Sequence, residues 1–318
     1  MPIKKILGAA LLSVSSLAAW GAAEAQMSLD PRDLEAKYLG PSDVFLEIGG
    51  LNYRVRVEGA FGAPPVFLLH GFTSSLETWD DVAAGLSETH RVIRYDLSGH
   101  GLTGPDAEQR YTADERAAAL LGLMDALEIE TATIIGNSLG GFVAWKFAAQ
   151  NPSRTDDLVL ISAAAFPFAG LSEEAQPIAP ALEAYLLHGS VQDVAYVYGT
   201  QFFEGQKADP DRIQVYFDMM RRAGNPQAFV DHTNLFVLPD PAAELSQIRA
   251  RTLVLWGEQD PLIPVDHAGR LAALISGATL RTIPSMGHIP QEEDPGRTLD
   301  AIRAFLGSGR SNVAAADE

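Results

Sequence analysis

No cysteine occurs among the 318 residues, which excludes disulfide bonds, thiol nucleophiles, thiolate metal sites and a lipid-modified N-terminal cysteine. Positive charge is scarce: 23 Lys and Arg stand against 41 Asp and Glu, a formal net charge of −18 at pH 7. So acidic a surface repels phosphate backbones and anionic lipid, so no nucleic-acid partner and no membrane surface is expected. Long apolar runs are missing too, since the stretch Ile6 to Ala19 falls short of the roughly 20 residues that span a bilayer. Neither H-E-x-x-H nor a P-loop nor a cluster with metal-ligand spacing is present, so no cofactor and no metal are expected. Residues Gly99 to Gly104 do match the dinucleotide fingerprint G-x-G-x-x-G after a strand-like run. No helix opens on those glycines, because Pro105-Asp106 intervenes, and nucleotide binding is set aside.

What is present begins with a leader. Lys4 and Lys5 precede the apolar stretch, and Ala23-Glu24-Ala25 supplies a small-x-small cleavage pattern, so residues 1–25 read as a secretory signal peptide and the mature chain begins at Gln26. Removing them leaves 21 basic against 40 acidic residues, a net charge of −19, on a protein expected in the periplasm or medium with no stable membrane insertion.

Beyond the leader, short β-rich runs alternate with longer helical patterns. Val44 to Ile48 and Leu51 to Glu58 read as an antiparallel pair turned at Gly49-Gly50. Buried-type strands follow at Val66 to Leu69, Val92 to Tyr95, Thr131 to Ile135, Leu158 to Ile161, Thr252 to Trp256 and Thr279 to Ile283. Helical patterns lie between them, near Leu76 to Ser87, Ala113 to Leu127, Leu139 to Gln150, Asp266 to Ile275 and Glu293 to Leu306. The fold class is therefore α/β, with a doubly wound, mostly parallel sheet. The alternation breaks once, after the sixth strand, where helical stretches are divided by prolines. The expected organisation is a core of residues 26–165 and 249–306, a helical cap of 166–248, and a disordered tail of 307–318. The cap carries nine Tyr and Phe between Tyr185 and Phe236, of which about a third are expected to face a ligand cavity.

The chemistry concentrates in Gly136-Asn137-Ser138-Leu139-Gly140-Gly141, directly after an apolar strand. A G-x-S-x-G turn between strand and helix bends the chain sharply and lifts the serine hydroxyl at the sheet's edge, while the helix N-terminus faces any oxyanion formed there. The competing reading is a helix start with Ser138 as its capping residue. A serine hydroxyl is a poor nucleophile without a base and an acid to orient that base. Asp260 follows the strand Leu253 to Trp256 by a short turn, and His288 follows the next strand. The order Ser, Asp, His is that of the α/β-hydrolase fold.

These residues resemble the α/β-hydrolase superfamily over nearly the whole mature chain. His70-Gly71-Phe72 is similar to its oxyanion loop, Asp96-Leu97-Ser98-Gly99-His100-Gly101 to its D-x-x-G-H-G loop, and Gly287-His288 with Glu293 and Pro295 to its terminal histidine segment. The resemblance implies Ser138 as nucleophile, His288 as general base and Asp260 as the partner that fixes the imidazole. It implies the backbone N–H groups of Phe72 and Leu139 as the oxyanion hole. Glu258 and Asp266 compete with Asp260 for the acid position, and the resemblance favours Asp260, because the family's acid follows the strand by a short turn. His70 and His100 read as loop histidines and Asp96 as a loop organiser, while His90, His188, His232 and His267 sit in no motif.

Within that family a serine argues against dehalogenase and epoxide-hydrolase chemistry, which need a carboxylate, and implies acyl transfer. The G-N-S-x-G-G elbow with a helical cap also resembles the carbon-carbon hydrolases of aromatic ring-fission products, although those usually carry Trp where Ile289 stands. The leading expectation is an exported carboxylic-ester hydrolase for a small to medium, largely apolar substrate. Carbon-carbon hydrolysis and a non-turnover ligand-binding protein are the alternatives.

Overall fold

The computed structural model describes residues 28–203 and 209–314; the expected leader, residues 1–25, lies outside the described residues. Among the described residues the first helix, α1 (Pro31–Tyr38), precedes the hairpin of β1 (Asp43–Ile48) and β2 (Leu51–Glu58). Gly49 and Gly50 take φ of 59° and 85° at that turn. A two-residue loop needs this left-handed backbone to keep the twist of its strands, and glycine adopts it without strain. The chain then alternates through β3 (Pro65–Leu69), α2 (Asp80–Leu86), β4 (Arg91–Tyr95), α3 (Ala113–Ala126), β5 (Ala132–Asn137), α4 (Leu139–Gln150) and β6 (Thr155–Ile161). Five helices follow among the described residues: α5 (Pro180–His188), α6 (Val191–Gly199), α7 (Pro210–Arg221), α8 (Asn225–Leu235) and α9 (Ala242–Leu245). Then come β7 (Arg251–Gly257), α10 (Asp266–Leu274), β8 (Thr279–Ile283), α11 (Pro290–Glu293) and α12 (Pro295–Ala314).

The eight strands form one sheet in the order β1-β2-β4-β3-β5-β6-β7-β8, antiparallel only where β2 meets β1 and β4. Alternation along β3 shows how the sheet is covered on both faces. Val66 and Leu68 pack with Trp79, Val82, Ile302 and Phe305 of one layer, whereas Phe67 and Leu69 pack with Leu120, Val143 and Phe147 of the other. Period-two side-chain direction makes each strand feed two cores at once. Helix starts are set locally, as in α3, where the Thr112 hydroxyl accepts from Glu115 N–H and the Glu115 carboxylate accepts from Thr112 N–H.

Two expectations need correction. β8 is not a covered strand: Thr279 to Thr282 are exposed and only Ile283 is buried, because β8 ends the sheet and has β7 as its one neighbour. Helix α12 continues through Ala314, so residues 307–314 are helical where a disordered tail was expected; 315–318 lie outside the described residues. The Arg251 guanidinium ties down the start of the extension, since Nη1 donates to the Phe305 carbonyl and to Ser308 Oγ, both at 2.9 Å.

The segment before β1 straps α7 to the core. Leu29 pairs with the end of α7 through Leu29 N–H to Arg221 O (2.8 Å) and Ala223 N–H to Leu29 O (3.0 Å). Leu34 packs on Met219 and Leu102. The Asp218 carboxylate of α7 accepts from Lys37 Nζ at 2.7 Å and from the Tyr38 hydroxyl at 2.6 Å, while Arg54 of β2 donates to the Tyr38 carbonyl at 2.9 Å. Removing the hydroxyl leaves a buried carboxylate one donor short. Tyr38→Phe is therefore expected to lower unfolding free energy by about 1.5–3 kcal/mol, measured as a shift in the urea midpoint at constant slope.

Candidate active site

The strand-to-helix turn at the end of β5 is the site's fixed point. Ser138 has φ 55° and ψ −115°, a conformation that a non-glycine residue holds only when its surroundings impose it. Those surroundings are identifiable. Ser138 N–H donates to Ile161 O at 3.0 Å, and its carbonyl accepts from Phe142 and Ala164 N–H at 3.0 and 3.1 Å. The glycines are obligatory for space: a Cβ on Gly136 would overlap the Gly140 carbonyl, and one on Gly140 would overlap that of Leu69. The Ser138 side chain makes no capping bond to α4, which removes the helix-cap reading of this serine.

Asp260 and His288 arrive from the ends of β7 and β8. Asp260 Oδ1 accepts from the N–H groups of Leu262 and Ile263 at 2.8 and 2.9 Å, which leaves Oδ2 for His288 Nδ1 at 2.8 Å. A carboxylate oxygen accepts, so the ring proton sits on Nδ1 and Nε2 keeps its lone pair. Both side chains are almost wholly enclosed, at 2% and 0% accessible. The histidine's loop is held from three sides. His288 N–H donates to Gln201 O at 2.8 Å, its carbonyl accepts from Asn137 Nδ2 at 3.1 Å, and Glu293 accepts from Gly287 N–H at 2.5 Å.

Ser138 and His288 line one cavity of about 310 Å³. Phe72 and Leu139 line it beside them, and Gly71 packs directly on Asn137 and Ser138. Leu139 is the first residue of α4, where helix N–H groups have no intrahelical acceptor. Most of the remaining wall is apolar, supplied by Phe168, Leu171, Leu182, Leu186, Val197 and Ile289. Of the nine Tyr and Phe singled out beyond β6, Tyr185, Tyr216 and Phe236 reach this wall, the third that was expected.

The alpha/beta hydrolase family profile matches residues 66–301. The chain belongs to that family. It is 28% identical over 242 residues to the 2-hydroxy-6-oxononadienedioate/2-hydroxy-6-oxononatrienedioate hydrolase 2 of Pseudomonas putida, across 73% of this chain and 84% of the other. A solved hydrolase from Pseudomonas aeruginosa PA01 matches with TM-score 0.71 and 28% identity, over 85% of this chain and 100% of its own. The enol-lactonase of Burkholderia xenovorans LB400, at TM-score 0.72 and 23% identity over 83% and 100%, shares the fold.

As an alpha/beta hydrolase, the chain gives its competing acids other work. The Glu258 carboxylate accepts from Thr282 Oγ1 at 2.9 Å, and Asp266 opens α10. Asp96 organises loops, accepting from Leu76 N–H at 2.8 Å and Leu102 N–H at 2.7 Å. His70 Nε2 accepts from Leu97 N–H at 2.9 Å, so its proton lies on Nδ1, which donates to Gly71 O at 2.8 Å. That bond carries the loop holding Phe72.

No motif pointed to a second polar cluster. Gln291 Nε2 donates to Asn137 Oδ1 and to Thr78 Oγ1, both at 3.2 Å. Glu292 beside it is buried and accepts from the hydroxyls of Thr78, Tyr198 and Tyr216. Burial holds its carboxyl above the usual range, with Arg212 and the three hydroxyls pulling the other way. Thr78 and Tyr216 bring this cluster to the cavity wall. No run of residues encodes it, because its members come from five distant segments.

Burial lowers the His70 pKa from 6.5 to about 4. The unfolded chain takes up this proton near 6.5 and the folded one only near 4, so stability present at neutral pH is withdrawn as pH falls through that window. About 3 kcal/mol is at stake. The urea midpoint should fall steeply from pH 7 to 4, and His70→Asn should start lower at pH 7 but decline less.

Proposed function

We propose that this alpha/beta hydrolase is a serine esterase that cleaves small to medium, largely apolar carboxylic esters through an acyl-enzyme. The observation carrying this reading is the Asp260–His288 bond, which places the ring proton on Nδ1 and leaves Nε2 basic in the cavity that Ser138 shares. In the first step Nε2 takes the Ser138 hydroxyl proton as Oγ bonds to the ester carbonyl carbon. The carbonyl oxygen becomes an oxyanion that the Phe72 and Leu139 N–H groups would receive; one such donor contributes about 3 kcal/mol in comparable sites. The imidazolium then returns its proton to the departing alkoxide. Water repeats the sequence to release the acid.

A second reading, carbon-carbon hydrolysis of a ring-fission product, is favoured by the Pseudomonas putida relative, which is named as a 2-hydroxy-6-oxononadienedioate/2-hydroxy-6-oxononatrienedioate hydrolase. Against it stands the aliphatic Ile289 in the cavity wall, at the place where such ring-fission hydrolases usually carry Trp. The two separate in one assay. p-Nitrophenyl butyrate should turn over steadily and a ring-fission dienoate only slowly; the reverse ranking overturns the ester reading.

Ser138→Ala should lower p-nitrophenyl butyrate turnover by at least about 10³-fold and abolish fluorophosphonate labelling while the thermal midpoint stays near wild type. Undiminished labelling of the alanine variant would place the nucleophile elsewhere. The proposal includes export, which rests on residues 1–25 of the sequence alone. Material from the periplasm of a bacterial host should begin at Gln26, and N-terminal sequencing that finds Met1 on soluble cytoplasmic product contradicts it.

A further inference from the structure

Arg116 of α3 is 1% exposed, yet among the described residues its guanidinium forms no ion pair. Every acceptor it meets is neutral. Nη1 donates to Tyr111 O at 2.6 Å and meets His232 Nδ1 at 3.0 Å; Nη2 donates to Ser98 O at 2.8 Å and Nε to Ser98 Oγ at 3.3 Å. Burial lowers its pKa only to about 10, so it stays a cation and a donor at neutral pH. An uncompensated buried charge is costly, and this one lies against His232, a residue of the cavity wall.

The consequence falls on His232 of α8. A guanidinium has no lone pair to offer, so the Nδ1 that lies 3.0 Å from Nη1 accepts from it, and the Tyr111 carbonyl, 3.2 Å from Nδ1, takes its closer bond from Nη1 at 2.6 Å. Burial and the Arg116 charge keep the ring neutral. A neutral ring without a proton on Nδ1 carries it on Nε2. That Nε2 has no partner among the described residues, and His232 lines the cavity. His100 is the contrast: its Nε2 is also without a partner, but it is sealed in protein and His100 is absent from the cavity wall. The His232 ring is held between Phe72 at 4.9 Å and Phe236 at 5.2 Å between centroids, so its aim is set by packing. Phe72 belongs to the loop assigned to the oxyanion hole, so this donor and the reacting group share one cavity wall.

We propose that His232 is a specificity residue: its Nε2–H, polarised by Arg116, donates to an acceptor oxygen that the substrate carries close to its ester group. The preferred substrates are then oxygen-bearing esters rather than plain alkyl esters, a refinement that rests on the esterase reading. The ether or carbonyl oxygen lies at a defined position along one arm, because the donor is fixed. At any other position an oxygen forfeits hydration in an apolar wall and gains nothing.

The test reads binding, so it does not depend on turnover. Butyl hexanoate and its analogues with one chain methylene at a time replaced by oxygen, in either arm, are titrated calorimetrically into the Ser138→Ala protein. Oxygen should weaken binding at most positions and strengthen it about fivefold at one, in line with one hydrogen bond. Adding His232→Phe should turn that one gain into a loss like the others. His232→Gln, whose amide N–H reaches the place of Nε2, should restore part of it. A flat scan, a gain that survives His232→Phe in folded protein, or no binding of any analogue overturns the proposal. The esterase reading fails separately, if wild-type protein binds these esters and hydrolyses none.

Discussion

The backbone of Ser138 is the constraint on which the remainder of the site depends. Its positive φ is stable only because three hydrogen bonds and the close approach of Gly136, Gly140 and Gly141 to neighbouring backbone leave no alternative path. The same turn that lifts the side chain also starts α4, so the serine and the Leu139 N–H are placed by one event. Strand order does the rest. β5 lies centrally, with β3 on one side and β6 and β7 on the other, so the loop carrying Phe72 and the acid after β7 converge on it from opposite directions.

Four wholly buried histidines surround this point, and only one has an acid. His70, His100 and His232 are held neutral by burial, with the Arg116 charge depressing each further. Their protons are fixed by carbonyls and by the guanidinium, so these rings hold loops or present a donor. His288 alone meets a carboxylate. Ring chemistry is identical in all four; the partner atom decides which ring can accept a proton from a serine and carry the resulting charge.

Residues that are neighbours in sequence, or that follow strands by a short turn, were legible before the structure was. The elbow could be read because its glycines and serine act within six positions, and Asp260 could be chosen over Glu258 because the resemblance to the family places its acid a short turn after the strand. The hairpin at Gly49-Gly50 was legible for the same local reason. Exposure of β8 was not, because it depends on being last in the sheet, a property of order rather than of Thr279 to Ile283 themselves. The helix beyond Leu306 was not, because the arginine that ties it down lies on β7. His232 carried no motif since its meaning comes from Arg116, whose own acceptors are carbonyls that any residue possesses.

The elements between β6 and β7 are fastened to the sheet at several independent points, and this bears on how substrate is admitted. Asp218 is held by α1, Tyr216 and Tyr198 close on Glu292, Arg212 reaches Asp80 at 3.0 Å, and Gln201 O holds the His288 amide. Moving α6 and α7 together as a lid would break charged and buried bonds at all of these points at once, including the one that positions His288. Local motion of the apolar wall is cheaper than wholesale opening, because Leu171, Leu182 and Val197 exchange dispersion contacts and lose no hydrogen bond. The polar clasps thus keep Ser138, His288 and Asp260 in register, while the apolar wall of the cavity is held by dispersion alone.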